Sequence, residues 1–138
     1  QAILTTASLP LEYINCGHTP LPRISPSDPE KQITQLDDQG CMILGITEII
    51  EPLKTNIQLN QGDRIILVSD GIIENQDLEG NFFGKERFEE LLTNNRQKTI
   101  SELANIISTQ ARHFSRETEL KDDQTLLAFC LKNRVILS

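Results

Sequence analysis

Apolar and polar positions alternate in short runs over the first half of the chain and then change period. Segment 11–15 reads LEYIN, apolar and polar in turn, which predicts a half-buried antiparallel strand over residues 11–16. Residues 1–6 carry a similar strand-like pattern, separated from it by the turn-like Ser8-Leu9-Pro10. Residues 21–24 resume a strand, and Pro20 and Pro22 predict that it lies at a sheet edge. The polar stretch SPSDPEK at 25–31 is a turn, 32–36 a strand, and Asp37-Asp38-Gln39-Gly40 a second turn. Segment 41–46 is apolar around Gly45. Segment 48–59 is a longer, irregular strand region interrupted by Pro52. Asn60-Gln61-Gly62-Asp63 predicts a hairpin turn. It opens the stretch 62–84, GDRIILVSDGIIENQDLEGNFFG, whose continuous run Ile65, Ile66, Leu67 and Val68 suits a strand covered on both faces.

Beyond Gly84 the period becomes helical. A first helix over about 84–94 places Phe88, Leu91 and Leu92 on one face and stops at Asn94-Asn95. A second begins at Thr99, where Glu102 three residues on completes a capping box. Its apolar positions Ile100, Leu103, Ala104, Ile107, Ala111 and Phe114 fall on one stripe. A polar loop over 115–121 leads through Asp122-Asp123 into a last strand at 124–131. Strands first, helices later and one returning strand read as an α+β fold with a largely antiparallel sheet.

Composition narrows the function classes. A length of 138 residues suits one domain or part of one. Thirteen basic against twenty acidic side chains give a net charge of −7, which argues against nucleic acid or an anionic membrane as the main partner. No apolar run reaches the roughly 18 residues of a membrane span, and no signal peptide is readable. The three cysteines, Cys16, Cys41 and Cys130, include no CxxC pair. They read as reduced thiols of a cytoplasmic protein, with Cys16 a buried one. The apolar segment led by Gln1, with no Met among residues 1–9, predicts that the chain is cut from something longer.

Three acids carry the candidate chemistry. Asp70 ends the apolar strand, and Asp122 and Asp123 precede the last one. Were those strands antiparallel neighbours, the carboxylates would converge on one rim, where hard cations such as Mg²⁺ and Mn²⁺ find oxygen ligands. Gly71 would let the backbone turn sharply and let water or substrate approach. Spacing alone leaves the simpler alternative standing: an ordinary acid-Gly turn and an exposed loop end. His18, between Gly17 and Pro20, reads as a structural turn residue before it reads as an acid or ligand. His113 reads as a surface residue, and Asp77 and Glu79 as members of a solvated loop. No zinc-protease, P-loop or nucleophile-elbow pattern is present.

Taken in order, LEYINCGHTPLPRI, LGI at 44–46, the 62–84 stretch and DDQTLLAF at 122–129 resemble the SpoIIE/RsbU-like branch of the PP2C (PPM) metal-dependent protein phosphatases. The resemblance implies an antiparallel β-sandwich flanked by helices on both sides (PP2C-like αββα). It implies hydrolysis of phosphoserine or phosphothreonine by a water activated between two Mn²⁺ or Mg²⁺ ions. Asp70 matches the metal-binding Asp of the family's (S/T)DG segment and Asp122 that of its DD-x-T segment, with Asp123 as the alternative. Gly71 lies beside that metal site, and Gly17 and His18 match a further family segment. The family's GGDxYD-like and DxxGHG-like metal segments do not occur here. Residues 1–138 therefore resemble the C-terminal part of one such domain, N-terminally truncated, with about half of the metal ligands, inactive alone and with sheet faces left uncovered. The implied partners are a phosphorylated protein, such as a STAS-domain anti-sigma antagonist, and a sensor or receiver domain upstream. The alternative is a non-catalytic PP2C-like interaction module in a signalling protein.

Overall fold

The run Arg64–Val68 forms strand β5, and its burial explains why polar side chains are scarce in it. In the computed structural model, which describes residues 8–26, 28, 33–36, 45–46, 54–116 and 122–132, Ile66 and Val68 face one apolar cluster and Ile65 and Leu67 the other. Ile65 is 2% exposed and Ile66 0%. Both faces are covered, as the continuous apolar run predicts.

Before β5 come β1 (Leu9–Tyr13), β2 (Leu21–Ile24), β3 (Ile33–Leu36) and β4 (Thr55–Leu59). After it come the one-turn helix α1 (Asp70–Ile73), then α2 (Lys85–Asn94), α3 (Ile100–Phe114) and β6 (Leu126–Cys130). The strands form a two-stranded sheet, β1-β4, and a four-stranded sheet ordered β3-β2-β5-β6. Every pairing is antiparallel. Leu11, Tyr13, Ile57 and Leu59 of the small sheet pack against Leu21, Leu36, Ile65 and Leu67 of the large one, making the sandwich. On the other face of the large sheet, Ile24, Ile66 and Val68 meet α1, α2 and α3 through Ile72, Phe88, Leu92, Leu103, Ile107 and Ala111. Among the described residues the helices lie on that face. The expected strand at 1–6, the turn at 37–40, segment 41–44 with Cys41, residues 48–53 and 117–121 lie outside the described residues.

Helices α2 and α3 begin and end where the sequence predicts. Thr99 accepts from the Glu102 N–H, and the Glu102 carboxylate accepts from the Thr99 N–H, at 3.2 and 2.8 Å. The Thr99 N–H bond first, and then one from the Thr99 hydroxyl to the same carboxylate at 2.8 Å, hold the Glu102 carboxyl below its usual range. Of the expected stripe, Leu103, Ile107 and Ala111 are fully buried, so truncating either large one to Ala would cost about 2–5 kcal/mol.

Three strand expectations are corrected. Strand β2 is interior, between β3 and β5, despite Pro22. Its ladder to β5 contains only Arg23↔Ile65 and Ile24↔Arg64 and stops one residue short of Pro22, which has no N–H to extend it. Residues 60–63 form a turn but no hairpin: the Asp63 N–H donates to the Asn60 carbonyl at 3.0 Å, yet β4 and β5 belong to different sheets. The turn carries the chain across the sandwich instead. Gly62, at φ 85°, has the left-handed conformation this turn requires. The strand expected over 11–16 ends at Tyr13, because Asn15 folds back onto His18. Cys16 is part-exposed rather than buried.

Asp63 holds the crossing in place. Its side chain is fully buried, accepts from the Ser25 hydroxyl and the Asn60 N–H at 2.7 Å each, and forms an ion pair with Arg23. The surface pair Lys54–Glu12 is more than half exposed on both sides and contributes about 0–1 kcal/mol. Removing Asp63 strands the part-buried Arg23 beside two unmatched donors, a far larger loss. Asp63→Ala is expected to lower unfolding free energy by about 3 kcal/mol or more in urea titration. Glu12→Ala is expected to change it by less than about 1 kcal/mol. Equal effects would contradict the assignment of Asp63 as the tie between the sheets.

Candidate metal-binding rim

Three segments meet where β5 ends. The first is the continuation of β5, Ser69-Asp70-Gly71. The second is the lead-in to β6, Asp122 to Thr125. The third is the β1–β2 connection carrying Gly17, His18 and Thr19. The antiparallel register Val68↔Leu126 brings the first two side by side. The Ser69 N–H donates to the Thr125 carbonyl at 2.9 Å, the Ser69 hydroxyl to the Asp123 carbonyl at 3.0 Å, and the Thr125 N–H to the Ser69 hydroxyl at 2.9 Å. Gln124 Nε2 donates to the Gly71 carbonyl at 3.2 Å. The Thr19 hydroxyl donates to the Val68 carbonyl at 3.2 Å, joining the third segment.

Gly71 is where the contact is tightest. It does not form the sharp turn the sequence predicts; Asp70 and Gly71 open helix α1. A Cβ on Gly71 would stand 2.4 Å from the Asp123 carbonyl oxygen and 3.5 Å from the Asp122 Cβ. The missing side chain admits the chain's own backbone rather than water or substrate. It thereby seats the start of α1 against the Asp122-Asp123 backbone.

The side chains of Asp70, Asp122 and Asp123 are exposed. Asp70 Oδ1 accepts from the Gly71 N–H at 3.0 Å, and Asp122 Oδ1 from the Asp123 N–H at 2.8 Å. Each carboxylate is thus oriented by the next residue's backbone. This all-oxygen donor set fits a hard divalent cation in kind. It is short in number: among the described residues, no group of three or more His, Cys, Asp or Glu side chains is arranged to hold a metal.

The remaining candidates divide. His18 is exposed, its N–H donating to Asn15 Oδ1 at 2.7 Å and its carbonyl accepting from Asn15 Nδ2 at 2.9 Å. Gly17 stands at φ 90° in the same loop. His113 is exposed on α3, away from the rim. Asp77 serves its own loop, accepting from the Glu79 and Asn81 N–H groups at 2.9 Å and from Asn81 Nδ2 at 3.0 Å. The Asn81 side chain is the main reason its carboxyl lies below the ordinary value of 3.8. That depression helps hold the loop above the ordinary value and fades as pH falls through the lower folded one.

Sequence reasoning missed how firmly the acidic loop is closed. Phe83 N–H donates to the Asn75 carbonyl at 2.7 Å, and Asn75 Nδ2 to the Ala111 carbonyl at 2.6 Å. Phe83 and Phe114 meet edge-on at 5.5 Å, with the Arg87 guanidinium 4.3 Å from the Phe114 ring centre. The second Phe of FFG was the available signal, since an aromatic ending a polar loop needs a partner.

The SpoIIE family profile (stage II sporulation protein E) matches residues 2–132. The chain belongs to the SpoIIE family. Its fold is that of PP2C-type phosphatase domains. The phosphatase domain of SpoIIE from Bacillus subtilis superposes with a TM-score of 0.57 at 19% identity, over 96% of this chain and 60% of that one. The RsbU and RsbW domains of a Mycobacterium tuberculosis protein give 0.63 at 24% identity, over 91% and 33%. A PPM Ser-Thr phosphatase from Mycobacterium smegmatis, in complex with cacodylate, gives 0.53 at 18%, over 87% and 55%. This SpoIIE-family chain thus spans less than two thirds of these relatives. No curated protein sequence matches it.

The Gly71 contact supplies a test of the rim. Gly71→Ala must push the Asp122-Asp123 backbone away, and overpacking of this kind costs about 1–3 kcal/mol. The expected result is a matching loss of unfolding free energy, with amide shift changes at both 69–71 and 122–125. Unchanged stability and unchanged shifts at 122–125 would show that the two segments do not touch.

Proposed function

We propose that this chain forms part of a metal-dependent protein serine/threonine phosphatase domain. Its substrate would be a phosphorylated regulator of STAS type in a cytoplasmic bacterial signalling pathway. What supports this reading is the close approach of Gly71, which follows Asp70, to the Asp122-Asp123 backbone within a SpoIIE-family fold. Asp70 and Asp122 would hold the divalent cation, with Asp123 as the neighbouring carboxylate. A bound Mn²⁺ or Mg²⁺ supplies Lewis-acid stabilisation of phosphoryl oxygens and a water of lowered pKa.

The chain's own groups do the positioning. Gly71 permits the approach, Ser69 and Gln124 lock the two segments, and the Gly71 and Asp123 N–H groups fix one oxygen of each acid. The other oxygen of each acid would be the one offered to a cation. Two or three carboxylates do not outcompete hydration of a pair of such ions. The 138 residues alone are therefore expected to bind metal weakly and to leave p-nitrophenyl phosphate intact.

The non-catalytic reading draws on the same shortage, since no three-ligand group exists among the described residues. A longer chain containing the rest of the SpoIIE-type domain separates the two. Under the phosphatase reading, Asp70→Asn and Asp122→Asn each reduce Mn²⁺-dependent hydrolysis of a phosphoserine peptide by about a hundredfold or more. If that longer chain hydrolyses nothing, or if both variants match the unaltered protein, the interaction-module reading stands instead.

A further inference from the structure

Strand β6 is the outer strand of the large sheet, and among the described residues its far edge is unpaired. The run 126–131, LLAFCL, contains no charged residue and no Pro. The other outer strands are broken up by polar or Pro positions: Pro10 and Glu12 in β1, Thr34 and Gln35 in β3, Asn56 and Gln58 in β4. Sheet edges are ordinarily blunted by charge, by Pro or by a cover, and an apolar edge without these takes up another strand.

One face of this edge is apolar and open as well. Leu127 and Phe129 lie on the side of Leu67 and Ile65, their cross-strand partners, yet they are 56% and 37% exposed. The cluster between the two sheets takes in Leu67 and Leu131 and omits these two.

The β5 ladder determines which backbone groups of β6 face outward. The Ser69 N–H donates to the Thr125 carbonyl and the Leu131 N–H to the Asp63 carbonyl, at 2.9 Å each. In an antiparallel pair, residues bonded to the neighbour alternate with residues whose groups point away. Thr125, Leu127, Phe129 and Leu131 therefore turn their N–H and C=O groups toward β5. Leu126, Ala128 and Cys130 turn theirs to the free edge, spaced symmetrically about Ala128.

That symmetry makes the edge complementary to itself. A second β6 laid antiparallel, with Ala128 opposite Ala128, sets Leu126 opposite Cys130 of the second copy and matches each outward donor to an acceptor. The same register sets Leu127 opposite Phe129 of the second copy, at non-hydrogen-bonded positions where side chains approach most closely. Charge favours the same direction. Asp122 and Asp123 precede β6 and Lys132 follows it, so antiparallel pairing sets the acidic lead-in of one copy against the basic end of the other. Parallel pairing would set like charge against like.

We propose that two copies of this chain associate through β6, antiparallel about Ala128, so that their four-stranded sheets become one continuous sheet. The two-fold axis uses up the free edge in both copies, and the assembly closes at the dimer. The proposal does not rest on the phosphatase reading.

The test uses the 138-residue chain. Sedimentation equilibrium over a wide concentration range is expected to show monomer and dimer only. Leu127→Lys is expected to weaken the dimer about tenfold or more while keeping the folded circular dichroism spectrum, since the position is exposed. Hydrogen exchange of the unaltered chain supplies a reading that needs no variant. Amides of Leu127 and Phe129 are expected to be protected at every concentration, those of Leu126, Ala128 and Cys130 only where the dimer forms. In a mixture of labelled and unlabelled chains, Leu127 methyls are expected to show contacts with the Phe129 ring of the second copy. A monomer at every concentration, oligomers that grow without limit, or edge amides whose protection ignores concentration would each overturn the proposal. So would a dimer that Leu127→Lys leaves intact.

Discussion

A missing side chain at position 71 is the constraint on which the candidate site depends. Only hydrogen fits in the gap between α1 and the Asp123 carbonyl, and that gap is closed on both sides by hydrogen bonds from Ser69 and Gln124. Because the contact is backbone against backbone, no rotamer change relieves it. The backbone segments that carry the two acids are held together by this contact and by β5–β6 pairing, not by attraction between the acids, since like-charged carboxylates repel.

The opposite end of β5 is organised by a different force. There the chain must leave one sheet and enter the other, and Asp63 ties that crossing to β2 through Arg23 and Ser25. Strand β5 is therefore pinned by a buried ionic cluster at its start and by backbone lacing at its finish, with apolar clusters on both faces between. On β6 the face shared with Ile65 and Leu67 continues outward through Leu127 and Phe129, which are 56% and 37% exposed. Most of the apolar surface of the large sheet is covered, but the strip on its outer strand is not.

Legibility followed the range of the interactions. The capping box at Thr99, the stripe through Leu103 and Ile107 and the doubly buried β5 are local or periodic, and the sequence displays them directly. The antiparallel pairing of β5 with β6 was conditional in the sequence and is present in the fold. What failed depends on partners distant along the chain. A Gly-Asp turn looks like a hairpin until β1 takes β4 away from β5. Pro22 looks like an edge marker until a two-residue ladder forms past it. Gly71 looks like turn chemistry, whereas its role is set by a residue 52 positions later, Asp123. Pairing Asp70 with Asp122 was conditional in the sequence on their strands being neighbours, and that condition is met.

The central claim is that Asp70 and Asp122 address one cation. Paramagnetic Mn²⁺ broadens nearby amide signals, so a Mn²⁺ titration of the isotope-labelled chain reports it directly. The account predicts that the Gly71 and Asp123 signals broaden together, before those of the Asp77 loop, and that Asp122→Asn weakens the broadening at Gly71. Broadening that begins at the Asp77 loop, or at Gly71 regardless of Asp122, would contradict a shared site.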